Sequence, residues 1–404
     1  MNAPFLPHLS IAFVATRDLS QRNGRTPIQG HILRTLRRHH KVEILQLASL
    51  LQIRRPAELV GAGLEWLASL ARGRPLPLQC LLYGAPDEAA RLAAEIRAGG
   101  YHAVYLDTVR CQLLLRRLRR LIPDLHVVSD FDDLMSRRAD FLARHHLPFL
   151  SGHAGPHFPA WLRKLVEGPL ARLVTAYEAA TLPAAEREVA AASDITVLLS
   201  PLECELLALR SGARIAAIPP GIEAETTAWR GADEMRFIFI GSDRQLQNRT
   251  AIDRLLALWR ETMPAASLHI YGSQTRTPAV PGVVWHGFVE DLAEVYRPGS
   301  IALAPMIVAG GIKTKVVEAW SWGCPVLGTA IAFEGLDIPD YPLALAEEEW
   351  GPLLRAPELY SERWSGAARL GNDFIRTVLT PARFEAAWER AMLPLPAAAV
   401  SHGL

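Results

Sequence analysis

AGGIKTKVVEAWSWGCPVLGT, residues 309–329, reads as a strand giving way to a glycine turn, a helix beginning around Lys313 and a second strand. Gly310 and Gly311 allow a close backbone approach to a ligand, and their amides stand near the start of that helix. A helix N-terminus of this kind is a ready anion site, because unpaired N–H groups and the helix dipole both favour negative charge. Only four of the 43 basic residues are lysines (Lys41, Lys164, Lys313 and Lys315), and two of them fall at this turn. A compact ammonium suits a diphosphate as a point charge, where a guanidinium fork is bulkier. The spacing is not that of a P-loop, which disfavours a nucleotide triphosphatase.

Outward from this stretch, short apolar runs alternate with helical patterns through most of the chain. Strands are expected at Ser10–Ala15, Val42–Leu47, Leu78–Tyr83, Ala103–Leu106, Leu125–Ser129, Ile195–Ser200 and Arg214–Ile218, with helices such as Ile28–His40 and Asp87–Ala98 between them. Pro219-Pro220-Gly221 continues neither a strand nor a helix and marks a boundary. A second series opens at Arg236–Ile240, followed by a helix at Thr250–Met263 and strands at Leu268–Tyr271, Val283–Trp285, Ile301–Ala304 and Val326–Leu327. Alternation of this kind predicts parallel sheets covered by helices, an α/β class. At 404 residues, half of them hydrophobic, the chain can fill two cores. The expected domains are 1–220, 221–380 and a final helix and tail, 381–404, whose helix at Pro381–Met392 packs back on the first domain.

Composition narrows the function classes. Cys80, Cys111, Cys204 and Cys324 lack metal-ligand spacing, so neither a disulfide framework nor a zinc site is expected. The opening MNAPFLPHLSIAFVAT lacks a basic region and a long apolar run, and a cytoplasmic location is expected. Residues 1–225 carry 27 basic and 22 acidic side chains, a balance of +5; the rest carry 16 and 20, a balance of −4. The first half is therefore the better candidate for an anionic surface. Within it, Arg110, Arg116, Arg117, Arg119 and Arg120 interleave with leucines, a pattern that suits a peripheral contact with anionic lipid or a half-buried helix with a solvated basic face. Near-neutral charge and the lack of an aromatic–basic module disfavour nucleic acid. VVSDFDDLMSRR places Asp130, Asp132 and Asp133 just after a strand, where parallel α/β sheets face their ligands. These acids fit general acid–base proton transfer, or an N-cap or metal cluster. Glu178, Glu186 and Glu188 read as exposed helix residues.

Residues 309–329 resemble the donor-site signature of glycosyltransferase family 4, in the form found in bacterial surface-polysaccharide enzymes. The resemblance implies a GT-B fold, two Rossmann-like domains facing a central cleft. It also implies retaining transfer of a sugar from a nucleotide-diphosphate donor to a glycan or lipid-linked acceptor, without cofactor or metal. Glu318 then holds the ribose hydroxyls, while Gly310, Gly311, Ile312, Lys313 and Lys315 serve the diphosphate. FIFIGSDRQLQNRTAIDRLL resembles the first turn of the nucleotide domain and implies Gly241, Ser242 and Arg244 near the donor phosphates. VVWHGFVEDLAEVY implies Phe288 and Val289 at the base, and TRDLSQRNGRT implies Gly24 as a close-approach residue. Asp132 stands where many relatives carry histidine. Gly310 stands where many carry a glutamate that reads the donor sugar. A nucleotide-sugar epimerase of the same architecture and a non-catalytic nucleotide-sugar-binding scaffold are the alternatives.

Overall fold

The structure, a computed structural model, describes residues 8–16, 26–53, 55–147, 169–225, 229 and 235–394. The chain divides into two compact units, one of Met1–Ser136, Tyr177–Pro219 and Ala382–Leu404, the other of Arg137–Ala176 and Pro220–Pro381. The segment 137–176, expected in the first domain, thus groups with the second unit.

The first unit is built on six parallel strands: β1 (Ser10–Ala15), β2 (Lys41–Gln46), β3 (Ala103–Asp107), β4 (His126–Asp132), β5 (Ile195–Leu198) and β6 (Ile215–Ala217), in the order β2-β1-β3-β4-β5-β6. Five of the six residues of β1 and all of β3 are buried, as continuous apolar strands covered on both faces must be. The helices that matter below are α1 (Thr26–Arg37), α2 (Pro56–Ala71), α3 (Pro86–Ala98), α4 (Gln112–Leu121), α5 (Met135–Arg144), α6 (Pro169–Ala192) and α7 (Pro201–Ser211). The run Leu78–Tyr83, expected as a strand, instead forms a helical turn at Leu78–Leu81. Pro77 precedes it, and the Glu178 carboxylate accepts from the Leu78 amide at 2.6 Å and from Gln79 Nε2 at 2.7 Å. A short apolar run does not distinguish strand from helix by itself, and here the remote carboxylate decides.

Glu178 and Glu186 are buried, which corrects the expectation of exposure. Burial pushes both carboxyls up, and their partners pull them back. For Glu186 these are the Ser136 amide and hydroxyl at 2.8 and 2.6 Å and Arg210 at 3.1 Å. The basic stretch around α4 is also occupied internally. Arg116 pairs with Glu188, Arg117 with Glu65 and Arg119 with Asp194, while Arg110 donates to Gln79. Four of the five arginines are thus engaged within the unit, while Arg120 is exposed.

The last helix, α11 (Pro381–Met392), completes the first core. Phe384, Trp388, Ala391 and Met392 pack with Ile11, Phe13, Ile32, Tyr105 and Val128. Trp388 is fully buried with its ring 5.8 Å from that of Tyr105, and burial of a side chain this large contributes about 3 kcal/mol.

The second unit carries five parallel strands: β7 (Arg236–Ile240), β8 (Leu268–Tyr271), β9 (Val283–Gly287), β10 (Ser300–Ala304) and β11 (Val326–Gly328), in the order β11-β10-β7-β8-β9. Helices α8 (Leu246–Thr262), α9 (Thr314–Ser321) and α10 (Ser361–Thr377) pack on it. α8 buries Ile252, Leu255, Leu256 and Trp259 on one face, as their helical spacing predicts. α9 and α10 meet at Gly371, where an added Cβ would lie 2.3 Å from the buried Trp320 ring.

Candidate functional site

The C-terminal ends of β7, β8 and β10 in the second unit bring most of the expected donor residues together. Gly241 follows β7, and a Cβ there would stand 2.7 Å from the Asn248 side chain. Gly272, after β8, has φ +112 and packs against the Gly241 carbonyl, so the two turns approach without side chains between them. Ser242 Oγ donates to the Ser273 carbonyl at 2.8 Å. Asp243 joins the same turns by accepting from the Thr275 amide and hydroxyl, the latter at 2.7 Å, and its carboxyl lies below the ordinary value despite burial. Arg244 is exposed on the rim.

After β10 the chain reaches the glycine pair. Gly310 has φ 107 and Gly311 φ 61, a turn that a side chain would strain. Ile312 is buried beneath it, and Lys313 is the N-cap of α9. Lys313 Nζ donates to the carbonyls of Gly310 and Gly311, which folds the lysine back over the turn.

At the second residue of α9, Lys315 Nζ donates to Asn248 Oδ1 at 2.9 Å and sits 4.6 Å above the Phe239 ring. Asn248 Nδ2 in turn donates to the Ser242 carbonyl at 3.1 Å, so one asparagine ties the β7 turn to the glycine-turn helix. Burial pulls the Lys315 ammonium down to about 8, with Glu318 opposing. Glu318 accepts from the Tyr296 hydroxyl at 2.9 Å; burial raises its carboxyl, against the pull of Tyr296 and Lys315. Phe288 and Val289, beyond β9, line a groove of about 550 Å³ with Tyr271, His286 and Arg297. Phe288 is 62% exposed, an aromatic face offered to solvent.

A carboxylate that the motif does not contain also reaches the glycine turn. Glu334 Oε1 accepts from the Gly310 amide at 3.2 Å and from Arg137 at 2.7 Å. Burial would raise it, but Arg137, the Gly310 amide and Lys313 together hold it below its ordinary value. It comes from the end of the short helix Ala330–Phe333, and no spacing rule within residues 309–329 points to it.

Asp130, Asp132 and Asp133 belong to the first unit. β4 ends in a bulge between Asp130 and Asp132, and Asp132 has φ 68. A non-glycine residue in this region costs about 1–3 kcal/mol and persists only where its surroundings enforce it. Asp130 supplies that enforcement: buried, it accepts from the Tyr105 hydroxyl at 2.6 Å and from the Asp132 amide at 3.1 Å. Next to it, Thr108 also has φ 68, and its amide donates to the Asp130 carbonyl at 2.7 Å. Asp107, buried beside it, accepts from the Thr16 hydroxyl. Asp133 is buried, with its amide bonded to the Phe131 carbonyl. Asp132 is the half-buried member of the three. Gly24 lies outside the described residues. Among the described residues no group of three His, Cys, Asp or Glu could hold a metal ion, and no helix is long and apolar enough to cross a membrane.

Residues 234–347 match the model of a family described as glycosyl transferases group 1, a span that holds β7–β11 and the glycine turn. The chain is similar in structure to a sucrose-phosphate synthase from Thermosynechococcus elongatus (TM-score 0.63, 12% identity, 95% of this chain and 98% of that one). It is similar also to HepE from Anabaena, solved in complex with UDP-glucose (0.61, 10%, 95% and 99%). A third is WaaG, a glycosyltransferase involved in lipopolysaccharide biosynthesis (0.55, 15%, 94% and 99%). No curated protein sequence matches. At these identities the structural likeness is one of fold: the two Rossmann-like domains of the GT-B class, as expected from the sequence. The second unit carries a glycosyltransferase domain.

Proposed function

We propose that the chain is a retaining glycosyltransferase, resembling family 4, that moves a sugar from a nucleoside diphosphate to an acceptor hydroxyl in bacterial polysaccharide or glycoconjugate synthesis. The observation that carries this reading is the positive-φ turn at Gly310 and Gly311, set at the start of α9 beside two lysines, with Glu318 one turn beyond Lys315.

The chemistry breaks the bond between the anomeric carbon and the diphosphate oxygen. It forms one to the acceptor oxygen on the same face. Negative charge grows on the leaving diphosphate as the sugar becomes oxocarbenium-like. Lys313, Lys315 and the glycine-turn amides oppose that growing charge, in place of a metal ion. Glu318 holds the ribose hydroxyls, as acceptor-only carboxylates do. The base stacks at Phe288 and Val289, while Gly241, Ser242 and Arg244 lie toward the phosphates. Asp132 accepts the proton of the attacking hydroxyl. HepE was solved with UDP-glucose, which nominates a UDP-sugar as the first donor to try. The acceptor is a glycan or a lipid-linked glycan.

The test is calorimetric titration of the protein with UDP, GDP, ADP and dTDP across pH, followed by NMR of the turnover products. One nucleotide should bind, more tightly as pH falls through about 8, because only the protonated Lys315 pairs with a diphosphate. The sign follows from the depressed ammonium: binding an anion favours the charged form, so a proton is taken up near that pH. The matching sugar donor should give a product, first detected with the donor's anomeric configuration. A new nucleotide-sugar formed without acceptor would instead establish an epimerase.

The sugar-side carboxylate that Gly310 lacks is assigned to Glu334, which bonds the Gly310 amide. Glu334→Gln should lower kcat/KM for the sugar donor by about 10-fold or more and leave the affinity for the free nucleotide diphosphate unchanged, since a charged hydrogen bond to a hydroxyl contributes about 1.5–3 kcal/mol. An equal loss for both ligands in steady-state kinetics and calorimetry would remove Glu334 from the sugar's side.

A further inference from the structure

α2 is an amphipathic helix turned inside out. Its polar residues face the protein: Glu65 pairs with Arg117 at 2.6 Å, Trp66 donates to the Tyr177 hydroxyl at 2.8 Å, and Ser69 bonds the Trp66 carbonyl and the Leu76 amide. Its outward arc is aliphatic. Leu59, Val60, Leu64, Leu67 and Leu70 are all exposed, Val60 and Leu64 to more than 60%. The residues between them on that arc are proline, alanine and glycine, and a methyl added at Gly61 or Gly63 meets no atom within 4 Å. An exposed face of this kind costs solubility and is kept only where something covers it.

We infer that α2 docks on an anionic lipid surface, with its aliphatic arc at the boundary between headgroups and acyl chains. Two features select lipid over a protein partner. The arc offers no hydrogen-bonding or aromatic side chain, whereas protein interfaces carry about one hydrogen bond per 100–200 Å² and are enriched in aromatics and arginine. The helix is also bracketed by cations, Arg55 before it and Arg72 and Arg74 after it, all exposed. Arg55 has Asp87 at 3.5 Å in an exposed pair, which leaves Arg72 and Arg74 as the main headgroup contacts. Charges at the ends and aliphatics between them match the layering of an anionic leaflet. The basic stretch around α4, the more obvious lipid candidate in the sequence, spends Arg116, Arg117 and Arg119 on ion pairs inside the unit and leaves Arg120 exposed. Docking by α2 requires nothing of the proposed reaction.

The full chain should float with phosphatidylcholine vesicles that contain phosphatidylglycerol, and less with phosphatidylcholine alone. Leu64→Glu with Leu67→Glu should reduce the vesicle partition coefficient about 10-fold or more, since two aliphatic side chains leave the acyl boundary and two negative charges are added beside an anionic surface. Val60→Ser with Leu67→Ser, which adds no charge, should act in the same direction. Arg72→Ala with Arg74→Ala should remove only the increment due to phosphatidylglycerol. The melting temperature and nucleotide affinity should not move in these variants, because the substituted side chains are exposed. Docking is overturned if the wild type stays with the aqueous phase or if the apolar-face variants float equally well. It is overturned too if gel filtration shows a self-association that the same variants dissolve, which would make the arc a protein interface.

Discussion

Lys315→Ala is expected to lower kcat/KM for the donor by about 10²–10³-fold, the loss measured when one preorganised donor to a developing oxyanion is removed. The lysine is preorganised to an unusual degree. Its ammonium is tied to Asn248, stands over the Phe239 ring and is half-buried, so little side-chain freedom is lost when a diphosphate arrives. The burial that depresses it to about 8 also excludes the water that would screen its charge. Nucleotide affinity should fall with turnover, because a diphosphate meets this charge both before and after transfer. The dependence of binding on pH near 8 should vanish in the variant. Lys315→Arg should recover little, since a planar fork does not fit a site built for a point charge between Asn248 and Phe239. Calorimetric titration alongside steady-state kinetics checks all three, and unchanged donor affinity in Lys315→Ala would remove the lysine from the site.

Asp132→Asn should reduce kcat by about 10²–10⁴-fold, the usual worth of a positioned acid–base group, with nucleotide affinity unchanged. Asparagine is the informative replacement. Asn and Asp both tolerate the left-handed backbone at φ 68, so the bulge after Asp130 should persist and only the charge is removed. Thermal melting within a degree or two of wild type would show this, and kinetics would then read the chemistry alone. Asp130→Asn should behave differently. Its carboxylate holds the Tyr105 hydroxyl and the Asp132 amide, so its loss disturbs fold and turnover together. Full turnover by Asp132→Asn with a saturating acceptor would refute the assignment of the acceptor proton to this residue.

The parts of the site that were legible in the sequence are those imposed locally. Gly310 and Gly311 announce a turn because few other residues adopt their backbone angles, and Lys313, Lys315 and Glu318 follow on one short helix. Strands buried on both faces announce themselves as apolar runs, and eleven of the twelve runs expected as strands form strands. What stayed hidden depends on partners far along the chain. The Leu78 turn is set by Glu178, 100 residues away, and Glu334 reaches Gly310 from 24 residues beyond it. The bulge that turns Asp132 left-handed leaves no compositional trace, since aspartate is as common in ordinary loops. Burial of Glu186 was equally invisible: a glutamate in a helix reads as solvated until Ser136 and Arg210 are seen around it.

The final helix carries a consequence for synthesis. α11 fills the core beside β1, β3 and β4 with Trp388, Phe384 and Met392, yet along the chain it follows every strand of both sheets. Nascent chains usually complete their N-terminal domain first. Here the sheet made first must wait, its Tyr105 and Phe13 uncovered, until the stretch from 236 to 377 has been made and can already have folded. Strand β1 is thus among the last to be sealed, and the first core closes only once α11 has been made.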